Sequence, residues 1–387
     1  ADLLVFGPGE KQVVEIARRV KAGQALGEIV LPGTARIVKA PPPEGEYPRL
    51  PPGEEVMADP PRLLEAQLIL EQAILAGKGA VQRQVDRYLV REPGMPYEAA
   101  DLDRLYALPF TRTHPGLPVL SPALQMNLFS VTAHRGCGGG CTFCAITAME
   151  GRRIVSRSPD SILREIRSLA DHPRWRGVVS DIGGPSADLY GEDCPNPGCP
   201  KPSCLVPRCP RPQTPGRAYL ELLGAARNLP GVERVLIGSG LRHDRLAENP
   251  ELLEEVLRHH AGGFLRIAPE HTEEPVLARM RKPGFGVLAE VAGQVAVVNR
   301  RLPRPVQLAL YLIVGHPGES REMVTEMGRK LRTLGPHRRD VQVFTPTPGT
   351  LATAMYVAGL DEQGRAIPVE RGAAELARRQ RSLADPR

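Results

Sequence analysis

Strand-like and helix-like segments alternate from residue 127 onwards, and this alternation constrains the fold more than any other feature of the chain. Six short apolar runs are predicted to be strands, at 127–135, 178–183, 234–239, 263–268, 307–315 and 340–345. Amphipathic helices are predicted between them, for example at 159–171, 216–228, 250–260, 287–301 and 319–334. Successive β-α units with right-handed crossovers build a parallel sheet. The sequence therefore predicts an α/β fold whose chemistry lies at the carboxyl ends of the strands.

Three cysteines follow the first predicted strand with the spacing C-x3-C-x2-C, namely Cys137, Cys141 and Cys144. Three thiolates so closely spaced can hold three irons of one [4Fe–4S] cluster, and they leave the fourth iron open to a substrate. The three intervening glycines allow the backbone to fold tightly around a cluster. A structural zinc site would need a fourth ligand. His134 is too near Cys137 in sequence to provide it, so the spacing favours the cluster.

Four further cysteines form an insert after the second predicted strand, at 190–215. They are Cys194, Cys199, Cys204 and Cys209, with the spacing C-x4-C-x4-C-x4-C and many intervening prolines. Because proline disfavours helix and sheet, a metal is expected to organise this segment. A second [4Fe–4S] cluster, a zinc ion and unligated thiols are the alternatives. Zinc sites made of four cysteines usually use short C-x2-C knuckles, which this spacing lacks.

The composition is that of a globular protein. Of 387 residues, 42% are hydrophobic and 24% charged, and no apolar stretch is long enough to span a bilayer. The chain starts without the pattern of a signal peptide. The seven cysteines all lie between 137 and 209, which fits metal centres in a reducing cytoplasm better than disulfides. The net charge of +6 is the sole hint of nucleic-acid binding, since no arginine-rich face with interleaved aromatic residues is visible.

The triplet resembles the signature of the radical S-adenosylmethionine (SAM) superfamily, C-x3-C-x-aromatic-C, with Phe143 at the aromatic position. The resemblance implies a partial (β/α)6 barrel, similar to a TIM barrel, that holds a [4Fe–4S] cluster with SAM chelated to the open iron. It also implies reductive cleavage of SAM to a 5′-deoxyadenosyl radical, which abstracts a hydrogen atom from a substrate. Such an enzyme uses a low-potential electron donor such as flavodoxin or ferredoxin.

Four strings at the strand ends resemble the YgiQ-type family of that superfamily, whose core is similar to that of Elongator and the methylthiotransferases. They are Ile182-Gly183-Gly184-Pro185, Gly238-Ser239-Gly240-Leu241-Arg242, Ile267-Ala268-Pro269-Glu270-His271-Thr272-Glu273-Glu274 and Gly315-His316-Pro317-Gly318. The resemblance implies SAM contacts at Gly183, Gly184, Ser239, Arg242, Glu270 and Gly315. Glu270 and His271 are also the candidate acid and base, with a capping or packing role as the alternative for His271.

The N-terminal third has a different pattern. A strand and turn at 2–10 and a helix at 13–20 cannot bury both faces of a sheet. Because the chain also lacks an initiator Met, we expect upstream sequence to be missing. The predicted domains are a Rossmann-like remnant at 1–31, a proline-rich linker at 32–61, a connecting helical segment at 62–126, the core at 127–355 and a truncated basic tail at 356–387. Domains of this kind often bind cobalamin, but cobalamin binding is not expected here because the D-x-H-x-x-G motif is absent.

The sequence thus favours a cytoplasmic radical SAM enzyme of unknown substrate. A methylthiotransferase-like enzyme that modifies tRNA or protein is the second hypothesis, and it would require an RNA-binding domain that is not visible after residue 360. A zinc-stabilised RNA-binding module, built on the four-cysteine insert, is the alternative of another class.

Overall fold

The computed structural model describes residues 2–113, 121–194, 196, 199–210 and 216–384. In the N-terminal part the strands are β1 (Leu4–Val5), β2 (Thr34–Val38), β3 (Arg49–Leu50), β4 (Ala80–Gln84) and β5 (Arg87–Arg91). The helices there are α1 (Glu10–Lys21), α2 (Gly53–Ala58), α3 (Pro60–Leu75) and α4 (Ala99–Tyr106).

These five strands form one sheet in the order β1-β2-β5-β4-β3, which corrects three expectations. Segment 32–61 is not an extended linker, since it contributes two strands and a helix. Segment 62–126 includes the β4–β5 hairpin besides its helices. The first strand pairs antiparallel with β2, whereas a Rossmann-like β-α unit would require parallel neighbours. The N-terminal part is therefore a small, mostly antiparallel sheet of its own.

The second part contains the predicted alternation. Its strands are β6 (Ser130–Thr132), β7 (His134–Arg135), β8 (Val155–Ser156), β9 (Val178–Val179), β10 (Asp181–Gly183), β11 (Arg234–Val235), β12 (Phe264–Glu270), β13 (Gln307–Val314) and β14 (His337–Val343). Its helices are α5 (Pro122–Asn127), α6 (Ile146–Glu150), α7 (Pro159–Ser168), α8 (Arg217–Arg227), α9 (His243–Glu248), α10 (Pro250–Glu255), α11 (Glu274–Met280), α12 (Phe285–Asn299), α13 (Arg321–Arg332), α14 (Leu351–Ala358) and α15 (Ala373–Leu383).

The six predicted strand positions lie side by side and parallel. Strand β6 pairs with β10, and β9 pairs with β11. A single bridge between Leu241 and Ile267 joins the third position to β12, which continues through β13 to β14. Because these strands are parallel, their carboxyl ends meet at one edge. Apolar side chains such as Val131, Ile182 and Leu310 are completely buried beneath that edge.

The C-terminal segment is a packed helix, which corrects the expectation of a basic tail. Leu383 is buried, and Gln380 Nε2 donates a hydrogen bond of 2.7 Å to the Val341 carbonyl on β14. Arg379 reaches inward, where its Nη1 lies 2.9 Å from Oε1 of Glu319. Both side chains are almost fully buried. A buried ion pair therefore joins α15 to the turn that follows β13.

This ion pair makes a stability prediction. Arg379→Met should lower the free energy of unfolding by about 3 kcal/mol, because it leaves the Glu319 carboxylate buried without its cation. Arg378→Met is the matched control: Arg378 is exposed and pairs with Glu375 at the surface, so its loss should cost no more than about 1 kcal/mol. Denaturant unfolding of both variants measures the difference. Equal losses in the two variants would contradict the assigned role of Arg379.

Candidate active site at the strand ends

The cysteine triplet lies on the loop between β7 and α6, directly after the first barrel strand. Gly139 sits between two of the thiols. A Cβ at this position would lie 3.4 Å from Cys137 Sγ and 3.6 Å from Cys141 Sγ, and the Gly139 amide donates a 3.4 Å hydrogen bond to Cys137 Sγ. The glycine thus keeps open the space that the two thiols share. This cradle, with three soft donors around it, fits an iron–sulfur cluster.

Burial and mutual repulsion oppose ionisation of these thiols. Burial, with the neighbouring Cys141, raises the pKa of Cys137 to about 11, and burial also raises the pKa of Cys144. Arg242 acts in the opposite direction, since its Nη1 lies 3.8 Å from Cys141 Sγ. Metal binding deprotonates thiols, so the positive charge of Arg242 would stabilise the thiolates that hold a bound cluster.

Arg242, a predicted SAM contact, is held in place by two carboxylates that the sequence analysis missed. Its Nε and Nη2 donate to both oxygens of Asp244 at 3.0 and 2.8 Å. Its backbone amide donates to the Asp188 carboxylate at 2.9 Å. Burial raises the pKa of Asp188 to about 6. The position of Asp244, two residues after Arg242, was the available signal for this bidentate pair.

The structure brings two of the predicted SAM contacts, Gly183 and Ser239, together on the ends of adjacent strands. A Cβ at Gly183 would overlap the Ser239 hydroxyl and the Asp181 carboxylate. That carboxylate accepts hydrogen bonds from the Ser239 hydroxyl and, at 3.1 Å, from the Ser239 amide. Asp181 was missed although it begins the same strand end. Asp181 fixes the Ser239 loop, and the absence of a side chain at Gly183 leaves room for Ser239 and Asp181.

Gly184 lies against the ring of His134, which a Cβ would overlap. His134 is completely buried, and neither ring nitrogen has a hydrogen-bond partner among the described residues. Burial lowers its pKa to about 4. The histidine is therefore a neutral ring packed beneath the Gly183–Gly184 backbone.

Glu270 and His271 point to different neighbours and do not form one acid–base pair. Glu270 has a left-handed backbone (φ 69°), and its carboxylate lies 3.5 Å from Lys282 Nζ. Burial raises the pKa of Glu270, against the lowering effect of Lys282. The charges of Glu270 and Lys282 both also affect the pKa of Cys144, which Glu270 raises and Lys282 lowers. Glu270 and Lys282 therefore belong to the surroundings of the triplet, and Lys282 was not predicted.

His271 is committed to a structural network. Its Nδ1 accepts from the Glu273 amide at 3.0 Å, so its Nε2 donates to Glu319 at 3.2 Å. Glu319 also accepts from the Gly315 amide at 2.8 Å. These contacts support the packing alternative for His271. They also make Gly315 (φ 82°) part of a turn fixed by Glu319.

A cavity of about 520 Å³ opens beside the triplet. Cys141 and Cys144 line it together with Cys194, Cys199 and Cys204 of the insert. Its other walls come from α3 and from the N-terminal sheet, for example Glu71 and Phe6. The N-terminal part is therefore a wall of the site, which the predicted linker and remnant did not suggest.

Among the described residues, no group of three or more His, Cys, Asp and Glu side chains is close enough to bind a single metal ion. None of the described helices is both long and apolar enough to cross a membrane.

Two family models match the sequence: Radical SAM N-terminal over residues 1–129, and the Radical SAM superfamily over residues 131–331. A UPF0313 protein of Methanosarcina acetivorans is 39% identical over 93% of this chain and 53% of its own length. Another, of Geobacter sulfurreducens, is 42% identical over 96% of this chain and 64% of its own length. The chain thus spans between half and two thirds of these relatives. UPF0313 is the YgiQ family, so the predicted resemblance is confirmed.

Two solved structures of TsrM, a radical SAM methyltransferase from Kitasatospora setae, share the fold. The complex with tryptophan and a SAM analogue aligns with a TM-score of 0.52 at 15% identity, over 92% of this chain and 53% of TsrM. The form with cobalamin and a [4Fe–4S] cluster gives the same score and identity, over 99% and 68%. The likeness confirms the predicted α/β partial barrel and, at this identity, shows the fold alone.

The thiols should differ in reactivity in the metal-free protein. Hydrogen bonding to the Lys201 amide and to Arg152 lowers the pKa of Cys199, whereas that of Cys137 is about 11. Below the pKa of a thiol, its thiolate fraction falls about tenfold for each unit by which the pH is lowered. At neutral pH, iodoacetamide should therefore label Cys199 well before Cys137, and Cys137 labelling should still rise with pH above 9.

Peptide mapping by mass spectrometry over time measures this order. Arg152→Met should slow the labelling of Cys199 several-fold, while Arg153→Met is the control, because Arg153 pairs with Glu98 at 2.8 Å. Faster labelling of Cys137 than of Cys199 would show that the described environments of the two thiols are wrong.

Proposed function

Because this chain belongs to the radical SAM superfamily, we propose that it is a radical SAM enzyme whose active site is the cysteine triplet together with the adjoining cavity. One observation carries the proposal: the three partly buried thiols of the triplet lie on the glycine-lined loop that follows the first barrel strand, and this loop opens onto a cavity of about 520 Å³. The superfamily match implies a [4Fe–4S] cluster and SAM. Since the chain spans only part of its relatives, the activity is proposed for the part present here.

Cys137, Cys141 and Cys144 would hold the cluster, which supplies the electron for reductive cleavage of SAM when both are bound. The chain's own contribution is electrostatic and steric. Arg242, fixed by Asp244, offsets thiolate charge beside Cys141. Gly139 keeps free the space that the thiols share. These features fit a group bound by three ligands.

The charges around the triplet match the amino acid part of SAM, which carries an ammonium and a carboxylate. Glu270 offers a carboxylate and Lys282 an ammonium, 3.5 Å apart and both buried near Cys144. The Gly183 carbonyl already accepts a 2.6 Å hydrogen bond from the Ala133 amide, so the backbone at Gly184 is the candidate contact at this strand end. We infer that SAM binds between these two strand ends and displaces the Glu270–Lys282 ion pair in favour of its own groups.

The cavity points to a substrate with a large apolar part, since its wall is mostly apolar side chain and includes Phe6, Met95 and Leu351. Arg152 on the same wall donates to the carbonyls of Cys199 and Lys201. Among the described residues, no contact favours the methylthiotransferase hypothesis over other radical SAM reactions. The zinc-module hypothesis loses its support through the superfamily match.

Removal of one triplet thiol tests the proposal. Cys144→Ala should abolish 5′-deoxyadenosine formation from SAM under dithionite after anaerobic reconstitution, because a cluster held by three thiolates has no spare protein ligand. Ser168→Ala is the control. It also removes one side-chain atom, at the exposed end of α7, and should leave the yield unchanged. Liquid chromatography of the products measures both, and undiminished 5′-deoxyadenosine from Cys144→Ala would refute the assignment.

A further inference from the structure

The four-cysteine insert packs directly on the triplet loop. The Cys204 amide donates a 2.7 Å hydrogen bond to the Gly138 carbonyl. A Cβ at Gly138 would lie 3.1 Å from Cys204 Cβ and 3.3 Å from its Sγ. A Cβ at Gly140 would overlap the Pro202 carbonyl. The insert is therefore part of the wall around the triplet. Its close approach leaves little room for a side chain at Gly138 and none at Gly140.

The insert contains little regular structure of its own. Among its described residues, the regular pairing is limited to one bridge between Leu205 and Arg208. The buried Ser203 hydroxyl accepts from the amides of Leu205 and Val206 at 3.0 and 2.9 Å and closes a local turn. Contacts with the rest of the fold, such as the Arg208–Glu248 ion pair, hold the insert from outside, and a bound metal would add order within it.

Three of the insert cysteines, Cys194, Cys199 and Cys204, line the cavity beside the triplet. The fourth is tied to this group through the backbone, because the Cys209 amide donates a 2.7 Å hydrogen bond to the Cys204 carbonyl. Four soft donors from one short segment thus lie beside the triplet.

Positive charge stands next to this group. Arg152 donates to the Cys199 carbonyl at 2.7 Å and to the Lys201 carbonyl, and its charge acts on the Cys204 and Cys199 thiols. The guanidinium of Arg153 interacts electrostatically with the Cys194 thiolate. Hydrogen bonds and net charge near the sulfurs tune metal–thiolate centres. Two guanidinium groups suit a centre that carries several thiolates.

From this arrangement we propose that Cys194, Cys199, Cys204 and Cys209 bind a second [4Fe–4S] cluster, which forms part of the cavity wall next to the SAM-binding triplet. A cluster fits better than zinc, because zinc sites made of four cysteines usually use short C-x2-C knuckles, whereas the spacing here is C-x4-C. With four thiolates the second cluster has no open iron, so it does not bind SAM.

Metal analysis of two complementary variants tests this proposal. After anaerobic reconstitution, the unmodified chain should contain about eight irons and eight sulfides, from two cubane clusters. The triplet variant Cys137→Ala/Cys141→Ala/Cys144→Ala should keep about four irons in the insert. The variant with all four insert cysteines changed to Ser should keep about four irons in the triplet.

The triplet variant is decisive, because it leaves the insert untouched. About four irons, no zinc and a reduced-state electron paramagnetic resonance signal that SAM does not alter would support the second cluster. One zinc per chain, or no bound metal while circular dichroism shows an intact fold, would overturn it. This readout is separate from the proposed function, whose failure would appear as SAM cleavage that survives Cys144→Ala.

A second measurement covers the case in which the insert variant fails to fold. Gly138→Ala pushes a methyl group against Cys204 without removing any ligand. It should lower the iron bound by the insert in the triplet-variant background at least several-fold. Gly224→Ala, where no other atom lies within 4 Å of the added Cβ, is the matched control. Equal iron in both glycine variants would contradict a cluster placed beside Gly138.

Discussion

The close approach of three backbone segments at the triplet loop is the constraint on which the rest of the site depends. Glycines at 138, 139 and 140 let Cys204, the thiols of the triplet and the Pro202 carbonyl meet where any side chain would intrude. The loop is thereby fixed between the first barrel strand on one side and the insert on the other. Arg242 and the cavity wall both contact this loop. The glycines at 138 and 140 are therefore required by the close packing of the triplet loop against the insert.

Buried charges extend this order outwards. Asp244 and Asp188 hold Arg242 beside the triplet, and Glu319 ties Gly315, His271 and Arg379 together at the end of β13. Isolated charges in these places would be costly, but each has a partner with good geometry. The second network reaches into α15, so the C-terminal helix contributes to the shape of a strand end that it does not itself form.

Much of the barrel could be predicted from sequence, because apolar strands, amphipathic helices and cysteine spacing are local patterns. The location of Gly183 and Ser239 at the same edge of the sheet also followed, since parallel strand ends share one edge. The N-terminal sheet escaped prediction for a local reason: the two-residue turn of its β4–β5 hairpin begins with Val85 at φ 56°, where Asn or Gly would be the usual signal. Lys282 and Arg379 were missed because their roles arise from contacts across the fold, which spacing along the chain does not encode.

The most direct test of the account is electron paramagnetic resonance of the reduced, reconstituted protein with and without SAM. The triplet leaves one iron without a protein thiolate, so SAM should supply new nitrogen and oxygen ligands and change the signal of that cluster alone. The signal from the insert should stay the same, because four thiolates leave no open iron. A spectrum that does not change at saturating SAM would contradict the central claim that Cys137, Cys141 and Cys144 form an open, SAM-binding site.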